Sequence, residues 1–174
     1  MLQQLDRLVL LTHNAEETKD LGRTLAQLVQ PGDVIPLWGG FGVGKTTFTQ
    51  GLAEGLGVRE AVVSPSFGLV NIYHGTKRPE ITLYHLDLYR ISSRQEAEGF
   101  GADEFIMDEG VALIEWPEVI KDLLPPERLD VNFEWIDENN RRITLAASGK
   151  RFLTLLTDLE DKLRQDKVAV DKES

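Results

Sequence analysis

Residues 39–46, Gly39-Gly40-Phe41-Gly42-Val43-Gly44-Lys45-Thr46, fit G-x-x-x-x-G-K-[ST], the phosphate-binding P-loop pattern. Its composition follows from its task. Glycines let the backbone curl around an anion with the N–H groups turned inward. Lys45 supplies a compact positive charge for β- and γ-phosphates, and the Thr46 hydroxyl is a Mg²⁺ ligand. Val34, Ile35, Leu37 and Trp38 before the loop read as a short buried strand. After it, Phe48, Leu52 and Leu56 recur every fourth residue as a helical stripe, with Gly57 as its cap. The loop thus joins a strand to a helix N-terminus, where anions bind. A strand feeding a helix in this way needs a crossover, so the core is expected to be a parallel α/β sheet. The competing structural reading is a glycine-rich turn that binds nothing.

The 174 residues are enough for one domain with a real core. We expect a single domain over 1–164 and a polar, disordered tail over 165–174. Lys and Arg number 19 against 29 Asp and Glu, a net charge of −10. That argues against tight, unaided binding to nucleic acid, where affinity comes largely from neutralised phosphates. The chain has no cysteine, which excludes disulfides, thiolate zinc sites and cysteine nucleophiles. No apolar run reaches bilayer-spanning length, and the N-terminus has no basic-then-apolar signal, so a cytoplasmic protein without a membrane partner is expected.

Around the loop the chain alternates strand and helix signals. Leu8 to Leu11 reads as an edge strand. Asn14 and Glu17 form a capping-box-like start to a helix whose face is Leu21, Leu25, Leu28 and Val29. Leu69–Tyr73 and Ile81–Leu86 flank a polar turn, as do Val131–Trp135 and Ile143–Ala147, so two hairpins are expected. Ser93 and Glu96 mark a short helix, and Gly99, Gly101 and Gly110 make the stretch after it loop-like. Val111–Ile114 reads as a buried strand. Phe152, Leu155, Leu156, Leu159 and Leu163 mark a last helix. Pro36 inside the strand before the P-loop implies either a missing ladder bond or a bulge. The expected fold is a P-loop NTPase-like α/β mixed sheet: a parallel core, added antiparallel hairpins, and helices on both faces.

A P-loop nucleotide needs a second metal-binding element, usually an acid at a buried strand's end. Glu115 ends one such strand and Asp87 another. Glu115 is assigned to Mg²⁺, directly or through water, and Asp87 to orienting or deprotonating the attacking water. Each also has a plain reading as a solvated strand cap. Ser66, in Ser64-Pro65-Ser66-Phe67, is either a switch over the γ-phosphate or simply a turn residue. Arg90 contacts phosphate or pairs with a surface acid. His85 alternates with Tyr84 and Leu86 and reads equally well as a hydrogen-bonded core histidine. Trp116 packs near the nucleotide or only against protein.

With these residues in order, the chain resembles the TsaE family of small bacterial P-loop ATPases. The P-loop 39–46 with Thr47, the turn 64–67, His85-Leu86-Asp87-Leu88-Tyr89-Arg90 and Ile114-Glu115-Trp116-Pro117 carry the resemblance. The last two segments are far more specific than the loop. The resemblance implies ATP and Mg²⁺ as cofactors, slow hydrolysis alone, and association with a TsaB–TsaD pair. TsaD transfers the threonylcarbamoyl group in forming threonylcarbamoyladenosine (t6A) on tRNA. The tRNA would be met only through that complex. The resemblance also implies Thr46 and Glu115 at the metal, Asp87 and Lys45 in hydrolysis, and Ala15 to Thr18 and Glu118 near base or sugar. The chain departs from the family at Gly40, often Asp, at Ser66, often Thr, and at Pro36.

Three other functions fit a P-loop. A small-molecule kinase usually carries an arginine-bearing lid, and only Arg90 and Arg94 stand in a plausible region. A GTPase would show N-K-x-D and D-x-x-G, and neither is present. A binding module that has lost hydrolysis would keep the loop while Asp87 became dispensable.

Overall fold

The computed structural model describes residues 6–65, 69–165 and 171–172. Its elements, in order, are β1 (Arg7–Thr12), α1 (Ala15–Ala26), β2 (Val34–Trp38), α2 (Lys45–Leu56), β3 (Val70–His74), β4 (Thr82–Asp87), α3 (Arg94–Gly99), α4 (Ala102–Met107), β5 (Val111–Glu115), a 3-10 helix (Pro117–Leu123), β6 (Arg128–Trp135), β7 (Arg141–Ser148), α5 (Lys150–Gln165) and β8 (Asp171–Lys172). Within the expected tail, Gln165 ends α5 and Asp171–Lys172 pair with Leu11 and Leu10 of β1.

One sheet runs through the molecule in the order β3-β4-β5-β2-β6-β7-β1-β8. Strands β4, β5, β2 and β6 form a parallel core. Antiparallel pairs extend it on both sides, β3 on β4 and β7 on β6, with β1 antiparallel to β7. The expected mixed sheet with a parallel core and two hairpins is what forms. Period-two alternation then divides the side chains between the faces. Ile35, Leu37, Leu83, Leu113 and Val131 meet Leu21, Leu25, Phe48, Leu52 and Leu155, so α1, α2 and α5 cover one face. Val34, Leu86, Ala112 and Ile114 meet Ala97, Ile106 and Ile120, so α3, α4 and the 3-10 helix cover the other. No described helix is long and apolar enough to cross a membrane.

Local sequence signals explain most boundaries. Asn14 caps α1, its Oδ1 accepting from the Glu17 N–H at 2.8 Å, while Glu17 Oε2 accepts from the His13 N–H. Ser93 caps α3 through the Glu96 N–H at 3.1 Å. Pro36 causes no bulge: it stays in line opposite Ile114, and pairing with β6 begins only at Leu37, so the missing N–H is absorbed without a shift of register. The stretch between Gly99 and Gly110 departs from the expected loop. Gly101, at φ 82°, is the N-cap of α4, and Ala102 and Ile106 are buried beneath it. Here glycine starts a helix instead of interrupting the chain.

Candidate functional site

The P-loop leaves the C-terminal end of β2 and enters α2, so it lies at the edge of the parallel core where ligands bind in open α/β sheets. Gly39 takes φ 135° and Gly44 φ 104°. A Cβ at Gly39 would also stand 2.7 Å from the Phe133 carbonyl oxygen, so both backbone and space require glycine there. Gly40 differs. Its φ is not left-handed and the space around it is open. The backbone therefore does not require glycine at the position where the family often carries Asp.

Beside the loop is a cleft of about 480 Å³. Its floor is the loop and first turn of α2, from Phe41 to Thr47. One wall is the start of α1, with Asn14, Ala15 and Thr18. The opposite side carries Ser64, Asp87, Tyr89, Glu115 and Trp116. The turn of the β6–β7 hairpin closes it with Glu138, Asn139 and Arg141. The strand register makes the acidic side. Asp87 stands directly opposite Glu115 across the parallel β4–β5 pair, each the last residue of its strand. Both therefore share one sheet face and reach the same cleft.

Lys45 is buried, and its Nζ donates to the Gly39 carbonyl at 2.7 Å while sitting 3.8 Å from the centre of the Trp116 ring. Burial pushes its ammonium below the ordinary lysine value, and the charges of Glu115, Glu118 and Asp87 pull it back up. Burial likewise raises the Asp87 carboxyl, and Glu115 adds to that. The Tyr89 N–H, donating to Asp87 Oδ1 at 3.1 Å, opposes the rise, as do His85 and Lys45. The Thr46 hydroxyl is 3.3 Å from that of Ser64. Glu115 is 3% exposed and accepts from His85 at 2.7 Å.

The oxygen donors of Thr46 and Glu115 are the kind that hold a hard cation such as Mg²⁺. Among the described residues no cluster of three or more His, Cys, Asp or Glu forms a metal cage.

Of the residues singled out from sequence, Ala15, Phe41, Gly42, Val43, Gly44, Lys45, Thr46, Thr47, Asp87 and Glu115 line the cleft together. Gly39 lies behind the lining as the acceptor of Lys45, and Gly40 is also outside it. Glu118 is exposed on the 3-10 helix and does not line the cleft; its charge acts on Lys45. Ser66 lies outside the described residues. Arg90 is exposed away from the lining, and Arg94 pairs with Glu98 at 2.7 Å on α3. The arginine at the cleft is Arg141, which donates to the P-loop carbonyl of Gly42 at 3.1 Å and to the carbonyl of Asn140 at 2.9 Å. Sequence reasoning missed it, along with Ser64, Glu138 and Asn139. Only Ser64 stood inside a recognised motif.

Aromatic residues from three separate motifs meet over the loop. Phe41 lies 4.7 Å from Tyr89 and 4.8 Å from Trp116, and Tyr89 lies 5.2 Å from Trp116, between ring centres. Phe41 and Tyr89 remain 67% and 53% exposed, so this cluster forms an open rim. Trp116 is placed by an unusual backbone. At φ 56° it is the one non-glycine residue with positive φ among the described residues. It turns the chain from the tip of β5 into Pro117, the first residue of the 3-10 helix.

Sheet order, loop and cleft define the class: a P-loop NTPase-like α/β domain. The family model described as "Threonylcarbamoyl adenosine biosynthesis protein TsaE" matches residues 12–143, and the chain belongs to that family. The tRNA threonylcarbamoyladenosine biosynthesis protein TsaE of Bacillus subtilis is 42% identical over 148 residues, covering 85% of this chain and 90% of the relative. Its counterpart in Treponema pallidum is 37% identical over 136 residues, covering 78% and 98%. The crystal structure of Bacillus subtilis YdiB superposes with a TM-score of 0.77 at 36% identity, covering 95% of this chain and 99% of that one.

Proposed function

We propose that this chain binds ATP with Mg²⁺ in the cleft and hydrolyses it weakly alone. In this reading it works with a TsaB–TsaD-like complex to support repeated rounds of t6A formation on tRNA. The observation that carries the reading is the convergence of Lys45, Thr46, Asp87 and Glu115 on one cleft at the C-terminal end of the parallel strands. The relatives' names supply the pathway. A net charge of −10 argues against tight, unaided binding to RNA, so in this reading tRNA is met through the partners.

The residues divide the work by position. The P-loop N–H groups and Lys45 would hold the phosphates, with Lys45 leaving the Gly39 carbonyl for a stronger acceptor. Thr46 and Glu115 would hold Mg²⁺, and Ser64 stands close enough to Thr46 to orient its hydroxyl. When bound, the ion would neutralise charge developing on the phosphate oxygens. Asp87, its carboxyl raised by burial, suits a group that orients the attacking water and takes its proton. The rim of Phe41, Tyr89 and Trp116 would shield the phosphates from bulk water.

The test mixes the purified chain with cognate TsaB and TsaD and measures ATP turnover and t6A per tRNA. Turnover should rise on mixing, and multiple rounds of modification should need this chain. Unchanged turnover together with full modification in its absence would reject the proposal. Phosphate appearing on a metabolite, instead of free in solution, would favour the kinase.

A further inference from the structure

We infer that His85 is a positioning residue for Glu115, fixing the rotation of its carboxylate and thereby how tightly the cleft takes Mg²⁺. The inference rests on the Mg²⁺–nucleotide reading of the cleft. His85 and Glu115 lie on adjacent parallel strands, with His85 opposite Leu113 and Glu115 opposite Asp87. Residues two apart share a face, so His85 sits one step deeper along the sheet than the acids and beneath Glu115. It is fully buried and does not line the cleft. It can meet a ligand only through Glu115.

Hydrogen-bond inventory fixes the direction of this contact. A carboxylate only accepts, so the 2.7 Å bond is donated by His85 Nε2 to Glu115 Oε2. The other ring nitrogen, Nδ1, is buried and has no hydrogen-bond partner among the described residues. Among the described residues, the ring's one hydrogen-bond partner is the Glu115 carboxylate. An unpaired buried polar atom is a penalty that an apolar residue at the same place would not incur, so the imidazole is poorly explained as core filling. What it supplies is one aimed N–H. Held at Oε2, the carboxylate cannot rotate freely, and Oε1 is the oxygen left for an ion. Partners of this kind behind metal ligands commonly change metal affinity 10–100-fold.

The test measures binding of a fluorescent, non-hydrolysable ATP analogue with and without Mg²⁺, and reads the ratio of the two affinities. His85→Met keeps volume but removes the donor. His85→Gln keeps an N–H near the place of Nε2, and His85→Asn carries one too short to reach. The Met variant should lose about tenfold of the Mg²⁺-dependent gain, with metal-free affinity unchanged, and Gln should restore most of it. A native gain in His85→Met, or an equal fall in metal-free affinity, overturns the inference. If the Met variant does not fold, the comparison of Gln with Asn decides: the gain kept in Gln and lost in Asn supports the role, and equal gains overturn it. If the native protein shows no Mg²⁺-dependent gain, the reading of the cleft itself fails, which is a different result.

Discussion

Helix α1 is held against α2 by glycines, and Gly51→Ala tests what that closeness does. A Cβ at Gly51 would lie 2.1 Å from the Lys19 carbonyl oxygen and 2.7 Å from its Cα. Both obstacles are backbone. Real Cβ contacts stay beyond 3.0 Å, so the helices must part by about 0.9 Å at that point. Gly22 makes the reciprocal approach, where a Cβ would lie 2.4 Å from the Phe48 carbonyl oxygen, so α1 cannot rock aside on a flexible side chain. Two effects oppose each other. Alanine gains roughly 1 kcal/mol of helix propensity over glycine. Forcing a packed interface apart costs typically about 1–3 kcal/mol, and the rigid backbone contact places this case at the upper end. The net loss is about 2 kcal/mol, which lowers the urea midpoint by about 1 M for a slope near 2 kcal/mol/M. Gly99→Ala is the control: it ends α3 with open space around its Cα, so stability should hold or rise by about 0.5 kcal/mol. Nucleotide affinity should fall with Gly51→Ala, because Asn14, Ala15 and Thr18 of the displaced element form a wall of the cleft. A Gly51→Ala midpoint at or above the native one, with the same slope, would refute the argument.

Lys45→Ala removes the buried ammonium, and a charge-assisted bond of about 1.5–3 kcal/mol corresponds to roughly 10–100-fold weaker ATP binding; unchanged affinity in a titration would count against the loop as a phosphate site. Trp116, at φ 56°, should favour glycine over alanine: Trp116→Gly is expected to exceed Trp116→Ala in stability by about 1–2 kcal/mol, and thermal melts showing the reverse would remove the claim of backbone strain. The Asp137 carboxyl accepts from the Asn140 side chain and from the N–H groups of Asn139 and Asn140, which lower it below the ordinary aspartate value. Its stabilisation of the hairpin turn is therefore present above the unfolded value near 3.9 and lost as pH falls through the lower folded value. An NMR titration of this carboxyl with a midpoint at or above the ordinary value would contradict it.

What was legible in the chain was what is local. The P-loop composition, the Asn14 and Ser93 caps and the alternation of the strands each rest on contacts within a few residues, and each element forms where its pattern stands. Helix α4 was hidden because glycine punctuates sequence ambiguously. Gly101 in the left-handed region begins Ala102–Met107, and only the burial of Ile106 against the second face decides the matter.

The cleft was legible only by halves. Its phosphate-binding side is one contiguous motif. Its far side is built by register and by a hairpin more than ninety residues downstream, whose Asp137-to-Asn140 segment reads as ordinary turn chemistry. Nothing local says that this turn will carry Arg141 to the Gly42 carbonyl. The same holds for His85. Period-two alternation puts it on one face with Asp87, yet a histidine among apolar neighbours has no stated partner until β4 is laid beside β5. The difference between a core histidine and a positioning one does not exist in the sequence; it lies in which acid the neighbouring strand sets beside it. Glu115 is that acid because Asp87 and Glu115 end their strands in step. The register that brings two carboxylates to the cleft therefore also sets the imidazole behind one of them.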